Sequence, residues 1–242
     1  AVGVLAEKIG LSAKFGDIPG IMAQALSDGL SLEGVVEGLS VGGSRMFLRS
    51  QTGNPMDVHI HTGANIRRYL IGQRDLSMNT KLRALLTWHA GPEVRSAQFK
   101  LAPVHQPEAD RVAAQPTRTQ EESLRDMEAF IGTLPIGERL PSLGLGLWMC
   151  TDEVKEAAAM AQQYADCNFD PDALIQMLDR IVCRDSFSEM HAYKHNQATY
   201  EEFHNTRAEY RWTHLVSAVQ GAAISHGRMQ EVYEYADKVA HF

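Results

Sequence analysis

The sequence predicts an all-α fold, and three observations carry that expectation. Apolar residues recur three and four positions apart through most of the 242-residue chain. No convincing strand pattern appears anywhere, and Gly, Pro and N-capping residues punctuate the chain at helix-length intervals. A multi-helical fold of about nine or ten helices is expected at this spacing. They fall into two halves, 1–99 and 143–242, joined by a Pro-rich connection or lid at 100–142, with the whole forming one compact domain.

Taken in order, AVGVLAEKIG reads as helical to about Leu11; it starts without Met, in what looks like the middle of a helix, which leaves room for an upstream portion. Asp17 as N-cap and Pro19 in the first turn start a second helix with an apolar face of Ile21, Met22, Ala25 and Leu26. Ser31 starts a third, in which Leu32, Val35, Val36, Leu39 and Phe47 recur at helical spacing. Its glycines at 34, 38, 42 and 43 each weaken a helix by roughly 1 kcal/mol relative to Ala, so they mark either close helix packing or a break near Gly42. After the turn at 52–55, Met56 to Ile71 reads as a buried helix with His59, His61 and Thr62 near its beginning. Lys81 to Ala97 continues with Leu82, Leu85, Leu86 and Trp88, and His89 falls just before the breaker pair Gly91 and Pro92.

From Lys100 to Pro141 the texture changes: five of the nine prolines fall here, and only Glu121 to Ile131 reads as helical. Excursions of that length in compact domains are functional or disordered. The second half resumes with Thr151 capping an Ala-rich helix to about Ala165. Asp170 and Pro171 then form an N-cap and N1 pair for a helix that buries Leu174, Ile175, Leu178, Ile181 and Val182. The stretch Asp185 to His204 opens with a capping box, Ser186 and Glu189, which predicts a helix from Ser186. Ala208 to His226 and a last helix to Phe242 complete the chain.

Composition narrows the function classes. A hydrophobic share of 44% and a charged share of 22% are those of an ordinary globular protein. The net charge of −7 without runs of like charge lacks the basic footprint of a phosphate-backbone binder, so nucleic acid is not an expected partner. Cys150, Cys167 and Cys183 are odd in number and form no CxxC, which implies neither a disulfide framework nor a cysteine zinc site and fits a reducing compartment. With no run of about 18 apolar residues and no signal-peptide order at the N-terminus, a cytoplasmic location without membrane contact is expected. No G-x-G-x-x-G, Walker A or G-x-S-x-G occurs.

Chemistry concentrates in the histidines. On the helix after Ser186, His191, Lys194, His195, Ala198 and Glu202 share one side. Such a set is costly to bury, so the face is wet, a polar seam against another helix, or a metal or catalytic site. His59, His61, His89, His204, His214 and His226 also fall in helices or at their ends. Neutral imidazole is a common ligand of Fe, Zn and Cu, and a ligating ring needs a partner to fix its tautomer. Asp57, Glu189, Glu201 and Glu202 are near enough in sequence to serve. A di-iron carboxylate bundle calls for two Glu-x-x-His repeats, and only Glu201 to His204 supplies one; haem attachment through CxxCH is absent.

Two blocks, His59-Ile60-His61-Thr62-Gly63-Ala64-Asn65-Ile66-Arg67 and His191-Ala192-Tyr193-Lys194, resemble the H-x-x-T-G-x-x-x-x-R and H-A-x-K blocks of the questin oxidase-like family. Lys81 to Trp88 resembles the helix that follows the first block there. The family is helical, and some members are non-haem iron oxygenases that open anthraquinone-type rings. The resemblance implies His59 and His191 as metal ligands, with Lys194 beside the metal as a catalytic candidate. An ammonium cannot coordinate, so Lys194 would act neutral or carboxylated. The family's upstream H-P-x-x-H type block is not present and the chain is shorter than a whole member. The missing ligands then lie upstream, or His89, His195 or His214 replace them, or the site holds no metal. The expectation is an oxygenase-like enzyme with one mononuclear non-haem metal, iron, using O2 on a planar small-molecule substrate walled by residues such as Trp88, Trp148, Tyr193 and Trp212. The competing expectation is a non-catalytic helical binding or scaffolding domain with structural histidines. Association with further copies of the chain is left open by the sequence.

Overall fold

The computed structural model describes residues 1–13, 15–50, 52–53, 58–87, 101–134, 148–149, 152–184, 191–225, 235–236 and 238–239. Eleven α-helices lie among them: α1 (Val2–Gly10), α2 (Ile18–Ser27), α3 (Leu32–Arg49), α4 (His59–Gly72), α5 (Met78–Leu86), α6 (Ala109–Ala113), α7 (Gln120–Thr133), α8 (Asp152–Asp166), α9 (Pro171–Arg184), α10 (His191–Asn205) and α11 (Trp212–Ser225). The fold is all-α and multi-helical, as the periodicity predicts. Among the described residues no helix is long and apolar enough to cross a membrane.

Local chemistry explains the helix starts. Ser31 accepts from the Gly34 N–H at 3.1 Å and Ser77 from the Thr80 N–H at 3.2 Å, each satisfying an orphan donor of a first turn. Asp170 accepts from Asp172 N at 3.1 Å ahead of Pro171, the cap expected from the sequence. Thr119 and Glu122 exchange side-chain and backbone hydrogen bonds at the start of α7, a capping box written in the sequence as T-x-x-E. The excursion accordingly holds more helix than expected: α7 begins one residue before Glu121 and runs on to Thr133, and the short α6 precedes it. The break considered near Gly42 does not occur, because α3 is continuous. Its glycines serve close packing instead: a Cβ on Gly38 would lie 2.7 Å from Leu5, and one on Gly42 2.6 Å from Ile9. The last described long helix starts later than expected, since 208–211 form a turn before α11. One short antiparallel ladder, Thr52–Gly53 against Trp148–Met149, went unsignalled by any alternating pattern. The capping box at Ser186 and Glu189, the cap at Thr151, Trp88, His89 and His226 lie outside the described residues.

Two apolar clusters form the interior. One gathers side chains of α7 to α11, including Met127, Tyr164, Leu178 and Phe203. The other gathers α1 to α5, including Ile9, Met22, Leu39 and Ile60. Ile224 packs against both. Helix α3 is buried at every residue from Gly34 to Ser44 and from Met46 to Arg49, and both α4 and α11 pack on it. A polar layer crosses the interior there.

A histidine seam as the candidate site

Each of three helices contributes a polar stripe to an otherwise apolar packing face: His61, Asn65 and Arg68 on α4, His195, Thr199 and Glu202 on α10, and His214, Ser217 and Gly221 on α11. These positions recur at i, i+3 or i+4, and i+7, so each stripe faces one direction. Along α4 and α10 the contacts rise in step. The His59 and His191 rings meet edge to face with centroids 5.4 Å apart, those of His61 and His195 lie 4.5 Å apart, and Arg68 grips Glu202 further on. The two helices therefore run parallel. Arg68 donates from Nε and Nη2 to Glu202 at 2.7–3.0 Å, and Asn65 adds a bond to the same carboxylate at 3.4 Å. Glu202 has no exposed surface, and this planar fork is what keeps a buried carboxylate tolerable.

His61, His195 and His214 are fully buried and joined by hydrogen bonds whose direction can be worked out. Ser217 Oγ donates to the His214 carbonyl at 2.7 Å, which commits its single proton. At 3.0 Å from His61 Nε2 it can only accept, so His61 carries its proton on Nε2. The lone pair on His61 Nδ1 then accepts from His195 Nε2 at 3.1 Å. Ser44 Oγ, 3.0 Å from the protonated His61 Nε2, accepts there and donates to His214 Nδ1 at 2.8 Å. His214 passes its remaining proton, on Nε2, toward Thr206 Oγ1 at 3.0 Å. His61 and His214 are thus satisfied at both nitrogens as neutral rings, and His195 joins them as the donor to His61. Burial pushes each below its ordinary range: His61 well below, with its two neighbouring histidines adding to the effect, His195 to about 3 and His214 to about 4.

Packing holds the rings in place. Phe47 lies 5.2 Å from His61 and 5.1 Å from His195, centroid to centroid. A Cβ on Gly221 would fall 2.5 Å from the His195 ring, so only glycine leaves room for it. Gln220 donates to the Phe47 carbonyl at 3.1 Å, and its Oε1 is buried without a hydrogen-bond partner among the described residues.

The sequence-derived candidates separate on this geometry. His59 and His191, half-buried, are brought together. His195 and His214 join the interior chain with His61, and both ring nitrogens of His214 are engaged there, leaving it no lone pair for a metal in this arrangement. Lys194 is exposed rather than on the buried side of α10. His89 lies outside the described residues, as do Asp57 and Glu189. Glu201 and Glu202 bond Asn65 and Arg68 rather than a ring. Trp212 packs on Phe203 and Tyr164 within an apolar cluster, and Tyr193 is exposed, so neither walls the seam. Ser44, Ser217, Thr206 and Arg68 were not foreseen; the one signal for Ser217 is its place three residues after His214 in an apolar helix.

Among the described residues, no three His, Cys, Asp or Glu side chains form a group that could hold a metal ion. The donors present at the α4–α10 crossing are thus the His59 and His191 imidazoles, a pair that suits iron in donor type but does not complete a coordination shell. Compared with family models, with curated proteins and with solved structures, the chain matches none.

Proposed function

We propose that this protein is an oxygenase-like enzyme that binds one mononuclear non-haem metal, iron, at the α4–α10 crossing and acts with O2 on a planar small organic substrate. The observation that carries the reading is the meeting of the His59 and His191 rings at 5.4 Å. These are the two histidines that the resemblance singles out, from blocks far apart in the chain. Bound iron would supply the O2 chemistry that side chains alone lack. The described part of the protein contributes two imidazole donors, a rigid neutral polar layer behind them, and the Arg68–Glu202 fork that holds α4 and α10 in register. Lys194, exposed on the next turn from His191, stays available for carboxylation.

Elemental analysis of protein purified without added metal tests this directly. Stoichiometric iron is expected, with His59→Ala and His191→Ala each weakening its retention by about 10-fold or more while the fold persists. Protein that is folded, monodisperse and free of metal would overturn the proposal. That result would favour the second reading, a non-catalytic helical binding or scaffolding domain, which draws on the complete internal satisfaction of His61 and His214.

A further inference from the structure

We propose that the outer face of α4 and α10 pairs with the same face of a second copy of this chain, related by a twofold axis that sets each Lys194 opposite the other copy's Glu201. A surface helix ordinarily turns its charged and polar residues outward. Helix α4 does the reverse: His61, Asn65 and Arg68 face the seam, and the residues it exposes are Ile66, Tyr69 and Gly72. Ile66 is 49% exposed and Tyr69, three residues on along the same side, 61%. Tyr193, beside Lys194 on α10, is exposed as well. An outward apolar stripe without a charge on its own helix marks an interaction surface.

The charges of the face select the occupant. Asn65 donates to Glu201 Oε2 at 2.8 Å across the exposed edge of the seam, which puts Glu201 beside Ile66 and Tyr69 on the outside. Lys194 lies seven residues before Glu201, two turns or about 10 Å away on the same side of α10. Neither charge is neutralised among the described residues: Glu201 accepts from the amides of Asn65 and Gln197, and Lys194 has no hydrogen bond or ion pair. The remaining charges of the two helices turn elsewhere. Arg68 and Glu202 close on each other, and Arg67 donates to the Thr87 carbonyl at the end of α5. The face thus carries one cation, one carboxylate and an apolar stripe. A twofold axis crossing α10 midway between the two charges, near Gln197, lays α10 antiparallel on its copy, forms two Lys194–Glu201 pairs at once and sets Ile66 and Tyr69 against the partner's α4, an isologous contact. A uniformly acidic or basic partner would instead meet one of the two charges with its like. Two helices about 21 Å long and about 10 Å apart offer roughly 400 Å² on each copy, half of a standard interface, so the dimer is weak and reversible. The inference does not rest on a metal at His59 and His191. It uses Lys194 as the ammonium; carboxylation would reverse that charge and part the copies.

Sedimentation velocity of the full chain from about 5 to about 500 µM, in bicarbonate-free buffer of low ionic strength, tests it. A weight-average mass that rises reversibly from one chain toward two is expected. Lys194→Glu and Glu201→Lys should each weaken the association by about 10-fold or more. Their equimolar mixture, in which every facing pair is again of opposite sign, should recover it, as should the chain carrying both exchanges. Tyr69→Ser should weaken it several-fold. All three positions are exposed, so the variants keep their fold, which circular dichroism checks. A chain that stays monomeric over the whole range, single charge variants that associate as the unsubstituted chain does, or a mixture that fails to associate would each overturn the proposal.

Discussion

Acid should unfold this protein through its histidines well before its carboxylates matter. In the unfolded chain an imidazole titrates near 6.5, whereas His195 and His214 in the folded protein titrate at about 3 and about 4. Between those values the unfolded chain takes up protons that the native rings refuse, so stability rises with pH and is lost as pH falls below 6.5. At pH 5 each ring has forgone about 1.5 pH units, or about 2 kcal/mol, giving about 4 kcal/mol for the two. His61, also lowered, steepens the loss in the same direction. Against a typical total of about 5–15 kcal/mol this is a large share. The loss from His214 should stop near pH 4 and that from His195 near pH 3. Glu7, Glu122 and Asp126 are also lowered, so their stabilisation is lost as pH falls from the ordinary carboxylate range toward their lowered values; this sets in well below the onset of the histidine loss and overlaps only its acidic end. Urea unfolding followed by far-UV circular dichroism at half-unit steps from pH 7.5 to 4, with chelator present, measures the slope. A stability that stays flat from pH 7 to 5, or an NMR titration that protonates the native His195 or His214 ring above pH 5, would refute the neutral buried chain.

Two substitutions probe the same layer. Ser217→Ala removes one of the two acceptors for His61 Nε2, leaving Ser44, and the donor to the His214 carbonyl, and should destabilise by about 1 kcal/mol in denaturant titration; a loss near zero would mean that Ser44 alone suffices for His61 and that the carbonyl needs no side-chain donor. Gly221→Ala sets a methyl group against the His195 ring and should cost about 1–3 kcal/mol by overpacking. Adding His195→Ala to it should recover part of that loss, and strictly additive effects in the double variant would show that the ring is not what the methyl group meets.

The all-α class was legible because burial of apolar stripes is written into spacing, and α9 was legible to its cap because Asp170-Pro171 is a local signal. Helix α6 was hidden by its five residues and the prolines around it, too short for periodicity to register. The α3 glycines could be read only as a choice between break and packing, since the partner that decides it, α1, is a tertiary matter. At the candidate site, the meeting of His59 and His191 followed from the two blocks, while the exposure of Lys194 did not: helical spacing puts it within a turn of His191 and His195, but the buried side of α10 is centred on His195, Ala198, Thr199 and Glu202. Nor could any local pattern say that His214 would bond Ser44 from the far end of the chain.

The hydrogen-bonded layer also sets an order on biogenesis. His61 and Ser44 leave the ribosome long before Ser217 and His214, their partners at separations of 156 and 170 residues. Until the last of those helices is synthesised, Ser44 on α3 and His61 on α4 can pair with each other, but the acceptor of the Ser44 proton and the Ser217 partner of His61 are absent and only water can take their place. An early apolar collapse would trap the pair half-satisfied. The layer thus discourages premature closure of the N-terminal helices and makes arrival of α11 the event that permits it, so a nascent chain halted before Trp212 should remain open to protease between α3 and α4. Long-range closures of this kind are slow compared with helix formation, and a chaperone that holds the early helices apart would act on the step that the layer itself delays.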